Sequence, residues 1–557
     1  MPLPHPTSFS GHIVDIPGRR IYDGTIIVSD GTIAAITPCD GLPADAPYLL
    51  PGFIDSHVHI ESSMMTPAAF AAVAVRHGTV GAVADPHEIA NVLGTAGIDF
   101  MTDNARQAAF HFCFGAPSCV PSCGTDIETA GACLDSKVLA TLLARPDIGF
   151  LAEMMNYVGV LAGDAEVLAR IEAARRAGKP IDGHAPGLVG DERRRYAAAG
   201  ISTDHECATI DEGRACIAAG MKVLIREGSA AKNFAALEKL IDEAPGQVML
   251  CTDDCHPDDL VRGHINLLVR RALAGGHDLW HVLEAASAAP QRHYHLHCGL
   301  LRPGDPATFV AADTLTADMQ IMQTVVRGEV VYEAGNDTTT GVASHEKEGG
   351  AWPNRMEARP LAEADIATPQ VPGREVHVIV ATDGSLLTGH DILTPATPFG
   401  EGSEWQGVQK MVVLNRYTAG ARPMVGFVRG FDLKDGAMAA TVAHDCHNIV
   451  AIGTDDARIT EAINRVIAMG GGAVAMAGTE VCEVALPIAG LMSPLDGDEV
   501  ARRTAALTCA ARRAGCPMHA PFITMAFMCL PVIPDLKMTD RGLFDATQWR
   551  FVEEVKE

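Results

Sequence analysis

The feature that most constrains this chain is an alternation in its first half. Short apolar strands take turns with alanine-rich helical stretches over roughly 250 residues, the length of a (β/α)8 unit. Strands are expected at Gly81-Ala-Val-Ala, Gly149-Phe-Leu-Ala-Glu, Pro180-Ile-Asp-Gly-His, Ile201-Ser-Thr-Asp-His, Met221-Lys-Val-Leu-Ile-Arg and Val248-Met-Leu-Cys-Thr-Asp-Asp. Helical stretches such as Ala165–Ala177 and Phe234–Glu243 lie between them. A strand that must return in parallel to its neighbour needs such a crossover, so the pattern predicts an α/β fold, a (β/α)8 TIM-type barrel over residues 51–299.

The texture differs on either side. Residues 1–50 carry β-rich pieces (Gly11-His-Ile-Val-Asp, Gly24-Thr-Ile-Ile-Val, Gly31-Thr-Ile-Ala-Ala-Ile) separated by Gly and Asp. Similar pieces return within residues 300–340, so the two flanks are expected to form one β-sandwich. Residues 341–372, rich in Gly, Thr, Glu and Pro, predict a linker. Residues 373–557 predict a C-terminal α/β domain, with strands at Val376-His-Val-Ile-Val-Ala and Met424-Val-Gly-Phe-Val and helices at Asp456–Met469 and Val500–Ala514.

Chemistry collects at strand ends. Pro51-Gly-Phe-Ile-Asp-Ser-His-Val-His-Ile-Glu61 predicts a buried strand. Alternate strand residues share a face, so His57 and His59 form a ready pair of metal ligands. Asp55 lies on that face and could orient them. Later strand ends add Glu153, His184, His205 and Asp253. This many nitrogen and oxygen donors suits two metal ions with room left for water. The two oxygens of Glu153 could bind one ion each. Asp254 should point away from Asp253, toward other protein groups or substrate.

This order of ligands resembles the amidohydrolase superfamily. Within it, PGFIDSHVHIESSMM (51–65), ADPHEIANVLG (84–94), LAEMM (151–155), DGHAPG (182–187), IREGSAA (225–231), CTDD (251–254), HDCHN (444–448) and LPIAGLM (486–492) resemble the bacterial adenine deaminase family. The resemblance implies metal ligation by His57, His59, Glu153, His184, His205 and Asp253. Catalysis would rest on Asp253 as general base and then acid, and on Glu153. Many superfamily members bridge their metals with a carbamylated lysine; LAEMM has none, so Glu153 takes that role. The HxxE proton donor of mononuclear deaminases is also missing, because His184-Ala-Pro-Gly stands there. The resemblance further implies two divalent metal ions, manganese or iron ahead of zinc, and hydrolysis of adenine to hypoxanthine and ammonia in purine salvage. Another amidohydrolase, acting on a different aminopurine or a cyclic amide, would use the same ligands.

Composition narrows the rest. A formal net charge of −26 disfavours nucleic-acid partners. The apolar fraction of 48% supplies sizeable cores. The N-terminus, Met-Pro-Leu-Pro-His-Pro, lacks a basic segment followed by an apolar run, so no signal peptide is expected. The most apolar window, Met64 to Ala84, is broken by Arg76, His77 and glycines, so no membrane span is expected. An odd 15 scattered cysteines fit reduced thiols, hence a cytoplasmic protein. A homo-oligomer acting on a small purine is expected.

Other residues are weaker candidates. Glu61, His87, Glu88 and Glu227 could contact substrate or support the site; His87 or Glu88 could instead meet an additional cation. Arg226 and Glu227 could pair with each other. His293, His295 and His297 are read as structural. His444-Asp-Cys-His447 lacks enough ligands for a free-standing metal site, and is read as a special turn or a loop reaching the barrel mouth.

Overall fold

The computed structural model describes residues 7–336, 351–368 and 371–556. Residues 1–6, 337–350, 369–370 and 557, which include part of the expected linker (341–350 and 369–370), lie outside the described residues. The chain divides into two compact units: residues 1–86, 100–118 and 135–344 in one, and 87–99, 119–134 and 345–557 in the other. The second unit therefore takes in two segments that the sequence pattern alone groups with the barrel.

In the first unit, eight short strands carry the site: β1 (Phe53–Val58), β2 (Thr79–Ala84), β3 (His111–Ala116), β4 (Ile148–Met154), β5 (Ile181–Gly183), β6 (Thr203–Asp204), β7 (Lys222–Arg226) and β8 (Val248–Cys251). β1 to β5 form a five-stranded sheet and β6 to β8 a three-stranded one, both parallel throughout. These strands are almost wholly buried, as expected where helices cover a parallel sheet. Backbone hydrogen bonds also run beyond the two ladders. Ser202 N donates to Ile181 O (2.8 Å), Asp253 N to His57 O (2.9 Å) and His59 N to Asp253 O (3.2 Å). Gly183 is required at the β5–β6 approach, because a Cβ there would lie 2.4 Å from Thr203 O.

Helix ends follow local chemistry. Ala165–Ala177 starts at Asp164, whose carboxylate accepts from Glu166 N and Val167 N, and stops at Gly178 in the left-handed region (φ 66°). The expected helix Phe234–Glu243 is instead two turns, Phe234–Leu237 and Leu240–Glu243.

The flanking strands make one seven-stranded sheet rather than two hydrogen-bonded layers. Tyr48–Pro51 pairs in parallel with Thr7–Asp15 on one side and antiparallel with Phe309–Ala312 on the other, which joins the two ends of the unit. Ile13, Ile26, Leu49, Phe309 and Val325 form its buried core.

The second unit is built on a nine-stranded sheet, chiefly antiparallel, with the helices Asp456–Ala468 and Gly497–Arg513. Short turns explain the antiparallel pairing: Gly472–Ala477 and Glu480–Ala485 are two residues apart and form a hairpin. Val412, Ala451, Ile463, Val466 and Val474 pack its core. Among the described residues no helix is long and apolar enough to cross a membrane.

Candidate metal centre

The donor side chains of the first unit stand where parallel strands end, so their backbones are fixed while their tips converge. His57 is the fifth residue of β1 and His59 follows its end; both are buried. Nδ1 of His59 donates to the backbone carbonyl of Asp85 (3.1 Å), which turns the Nε2 lone pair toward the carboxylates. Glu153 is the sixth residue of β4. The Tyr196 hydroxyl donates to Met154 O (2.7 Å) and accepts from His184 N (3.1 Å), so one phenol ties the ends of β4 and β5 together. Asn233 donates to the carbonyls of His205 (3.1 Å) and Cys207 (3.0 Å) and accepts from Arg226 N (2.7 Å), bracing β6 against β7.

Two groups of donors result, divided by Glu153. Its Oε2 lies 2.8 Å from His184 Nδ1 and 3.2 Å from His205 Nε2, and those two nitrogens are 3.3 Å apart. Its Oε1 lies 3.4 Å from His59 Nε2. Asp253 Oδ1 completes the second group, 3.1 Å from His59 Nε2 and 3.6 Å from His57 Nε2. Donors held around one cation at about 2.1 Å in tetrahedral geometry sit about 3.4 Å apart, so these separations suit metal binding.

Unsatisfied polarity points the same way. Neither ring nitrogen of the fully buried His57 has a hydrogen-bond partner among the described residues, and nor does Nδ1 of His205. Orphaned buried nitrogens cost free energy unless something absent from the protein atoms engages them. The residues therefore fit a divalent cation in each group.

Electrostatics keeps the carboxylates ionised, while Glu153 and Glu206 outweigh burial and draw His184 and His205 toward the protonated form, whose protons a bound cation would replace. Burial alone would raise the Glu153 carboxyl, but His184 and His205 outweigh it and hold its pKa well below the ordinary range. Burial likewise opposes ionisation of Asp253, yet Arg226, His57 and His59 keep its carboxyl well below the usual value. Burial, helped by nearby His205, pushes His57 toward the neutral form that ligates metals.

Two participants are not evident from the sequence pattern. Glu206 is buried beside His205 (3.4 Å) and His184 (3.7 Å). Arg226 ends β7 and pairs with Glu206 Oε1 (2.5 Å) and Asp253 Oδ2 (2.6 Å), not with Glu227. Arg226 ends a predicted strand as the other site residues do, but the pattern does not show that it reaches these two carboxylates. Strand alternation would aim Glu206 away from His205, but that alternation stops holding once β6 ends at Asp204.

The supporting candidates separate. Asp55 accepts from Thr252 Oγ1, Thr252 N (3.1 Å) and His57 N (3.3 Å), and contacts His264 Nε2 (2.9 Å). It fixes β1 against the end of β8 through backbone and neighbour contacts. Asp254 accepts from Ser62 Oγ (2.5 Å). The strand rule does not govern this pair, because β8 ends at Cys251 and Asp253 is left-handed (φ 60°). Glu61 is buried in the turn Ile60–Ser63 that follows His59. Glu227 accepts from Arg271 (2.7 Å). Ser202 contacts His293 Nε2 at 3.3 Å, and His295 caps a helix in the left-handed region (φ 55°). His87 and Glu88 belong to the second unit, together with His444 and His447.

Residues 48–331 match the amidohydrolase family, and residues 386–550 match the adenine deaminase C-terminal domain. The chain is 50% identical over 555 residues to a protein named adenine deaminase from Salinibacter ruber, covering 99% of each chain. It is 45% identical to one of that name from Methanosarcina acetivorans, over 98% of this chain and 99% of that protein. A third, from Sulfurovum sp., is 46% identical over 98% of each. The strand-end histidines and carboxylates thus stand in a chain that these relatives match nearly end to end, and the chain belongs to the adenine deaminase family of amidohydrolases.

Proposed function

We propose that this protein hydrolyses adenine to hypoxanthine and ammonia at a binuclear metal centre and serves purine salvage. The observation that carries the binuclear reading is the division of donors by Glu153. One carboxylate oxygen faces His184 and His205, the other faces His59, with Asp253 and His57 beyond it. His57, His59 and Asp253 would hold one cation, His184 and His205 the other, and Glu153 both. Divalent ions at such a site supply a water acidic enough to be a nucleophile near neutral pH. A nitrogen- and oxygen-rich donor set with no thiolate suits manganese or iron, with zinc possible.

The remaining chemistry belongs to the chain. Asp253 accepts the proton that the attacking water gives up and returns it to the departing amine as C6 of adenine loses ammonia. Arg226 holds Oδ2 of that carboxylate, so Oδ1 stays aimed at the reacting side. Buried strands and their helices exclude bulk water, which strengthens each of these interactions. The bonds that run past the ends of the five- and three-stranded sheets support closure of β1–β8 into one (β/α)8 barrel. A cytoplasmic homo-oligomer acting on a free base, without nucleic-acid or membrane partners, fits the acidic composition.

The experiment is metal analysis together with adenine turnover for the wild type and Glu153→Gln. The reading expects the variant to lose one metal equivalent and most of its activity. A fully active variant with unchanged metal content would remove Glu153 as the bridge.

A further inference from the structure

We propose that His87, Glu88, His444 and Asp445 form a further binding site for a divalent transition-metal ion, built wholly within the second unit. The sequence alone gives His444-Asp-Cys-His447 too few ligands. The fold supplies the missing ones, from the first turn of the helix His87–Leu93, some 350 residues away in sequence.

The four donor atoms close a ring. Glu88 Oε1 lies 2.6 Å from His444 Nδ1 and 3.5 Å from His87 Nε2. Asp445 Oδ1 lies 3.8 Å from His87 Nε2 and 3.9 Å from His444 Nδ1. Donors around a four-coordinate ion with bonds of about 2.1 Å are separated by about 3.4 Å. Three of these edges need only contract slightly, and the shortest needs to open as the proton between Glu88 and His444 leaves. Two imidazoles and two carboxylates are a common donor set for zinc, cobalt or manganese.

The fifth residue of the cluster orients the others. The Ala443 N–H donates to Nδ1 of His447 (3.3 Å), so that nitrogen carries the lone pair and Nε2 carries the hydrogen. Nε2–H then donates to Oε2 of Glu88, leaving Oε1 for a metal, as outer partners of ligating carboxylates do. The ring of His444 stacks on Phe527 (centroids 4.4 Å apart), and the Tyr417 hydroxyl donates to Cys446 O (2.6 Å), so the ligand turn is held in place.

Charge supplies a second line of support. Glu88 and Asp445 are each only 2% exposed, and Oδ2 of Asp445 is buried with no hydrogen-bond partner among the described residues. Two carboxylates withdrawn from water require compensating positive charge. A divalent ion would neutralise the pair and leave the imidazoles neutral.

The test uses the full chain, stripped with a chelator and reloaded with Zn²⁺ or Co²⁺ alone. Metal content is measured for the wild type, His444→Ala and Asp445→Asn, with far-ultraviolet circular dichroism confirming that each is folded. The proposal expects the wild type to hold one equivalent more than either variant. It also expects the Co²⁺ difference spectrum to show the intense visible band of a four-coordinate ion. Equal metal content in all three folded proteins would overturn it. Should the variants not fold, Zn-edge anomalous diffraction from wild-type crystals decides: a peak among His87, Glu88, His444 and Asp445 supports the site. A peak absent there while the barrel donors are loaded means a proton-bridged cluster and no metal.

Discussion

Removing Arg226 should reveal how the centre balances its charge. Arg226 is 6% exposed and touches two buried carboxylates, Glu206 at 2.5 Å and 3.1 Å and Asp253 at 2.6 Å. A charge pair about 3 Å apart at an effective dielectric near 20 is worth about 5 kcal/mol. Leaving one partner of a buried pair uncompensated costs about 3–5 kcal/mol in measured cases. Arg226→Met should therefore destabilise the protein by about 3–5 kcal/mol, and calorimetry should show a Tm lower by roughly 5–8 °C. The double variant Arg226→Met/Glu206→Gln deletes one of the two stranded carboxylates and should recover a measurable part of that loss. Turnover should fall in both, because Oδ2 of Asp253 loses its anchor. An unchanged Tm in Arg226→Met would refute the reasoning, as would a double variant as unstable as the sum of the two singles.

Other perturbations separate the roles of further residues. Asp253→Asn should retain the fold but lose turnover, with ammonia release as the assay; normal turnover would move the general base elsewhere. In the second unit, burial pushes the Lys537 ammonium down from 10.5 to about 7, while its Nζ donates to Leu386 O (3.0 Å) and Phe527 O (2.9 Å). The unfolded chain then holds one more proton than the folded one between about pH 7 and 10.5, so stability should rise with pH across that window. The full span corresponds to roughly 4–5 kcal/mol. Lys537→Met should flatten the slope in denaturant titrations at pH 7, 8.5 and 10, and an equally steep slope in the variant would exclude Lys537 as its source.

Gly183→Ala tests the strand geometry beneath the ligands. Its Cβ would meet Thr203 O at 2.4 Å, which must part β5 from β6 and displace His184 from His205. Metal content should fall in this variant; full retention would show that the two strand ends can separate without cost to the site.

How much the sequence reveals depends on how local each signal is. His57 and His59 are legible because a two-residue period puts both on one face of a buried strand. Glu153 and Asp253 are legible because each follows an apolar run, and His184 and His205 because each closes a short strand candidate between helical stretches. The rule fails where strands are very short. β6 is two residues long, so Glu206 turns back toward the imidazoles that alternation would aim it away from. β8 ends at Cys251, so Asp253 and Asp254 take directions set by a left-handed residue rather than by pleat. The strand β3, His-Phe-Cys-Phe-Gly-Ala, is absent from the strands the sequence pattern predicts, whereas the helix Ala165–Ala177 has the predicted bounds. Long-range pairing is the least legible. Nothing in the local pattern of His444–His447 indicates that Glu88 will lie between the two imidazoles, because that contact joins distant parts of the chain. The assignment of residues 87–99 and 119–134 to the second unit is hidden for the same reason.

The most direct test of the central claim follows adenine itself. Protein stripped of metal is reloaded with manganese, iron or zinc in turn, and ammonia release is measured beside the adenine-to-hypoxanthine absorbance change. The account predicts that stripped protein is inert and that reloaded protein forms hypoxanthine and ammonia mole for mole. Metal-loaded protein that leaves adenine untouched, with the donors at His57, His59, Glu153, His184, His205 and Asp253 occupied, would contradict it.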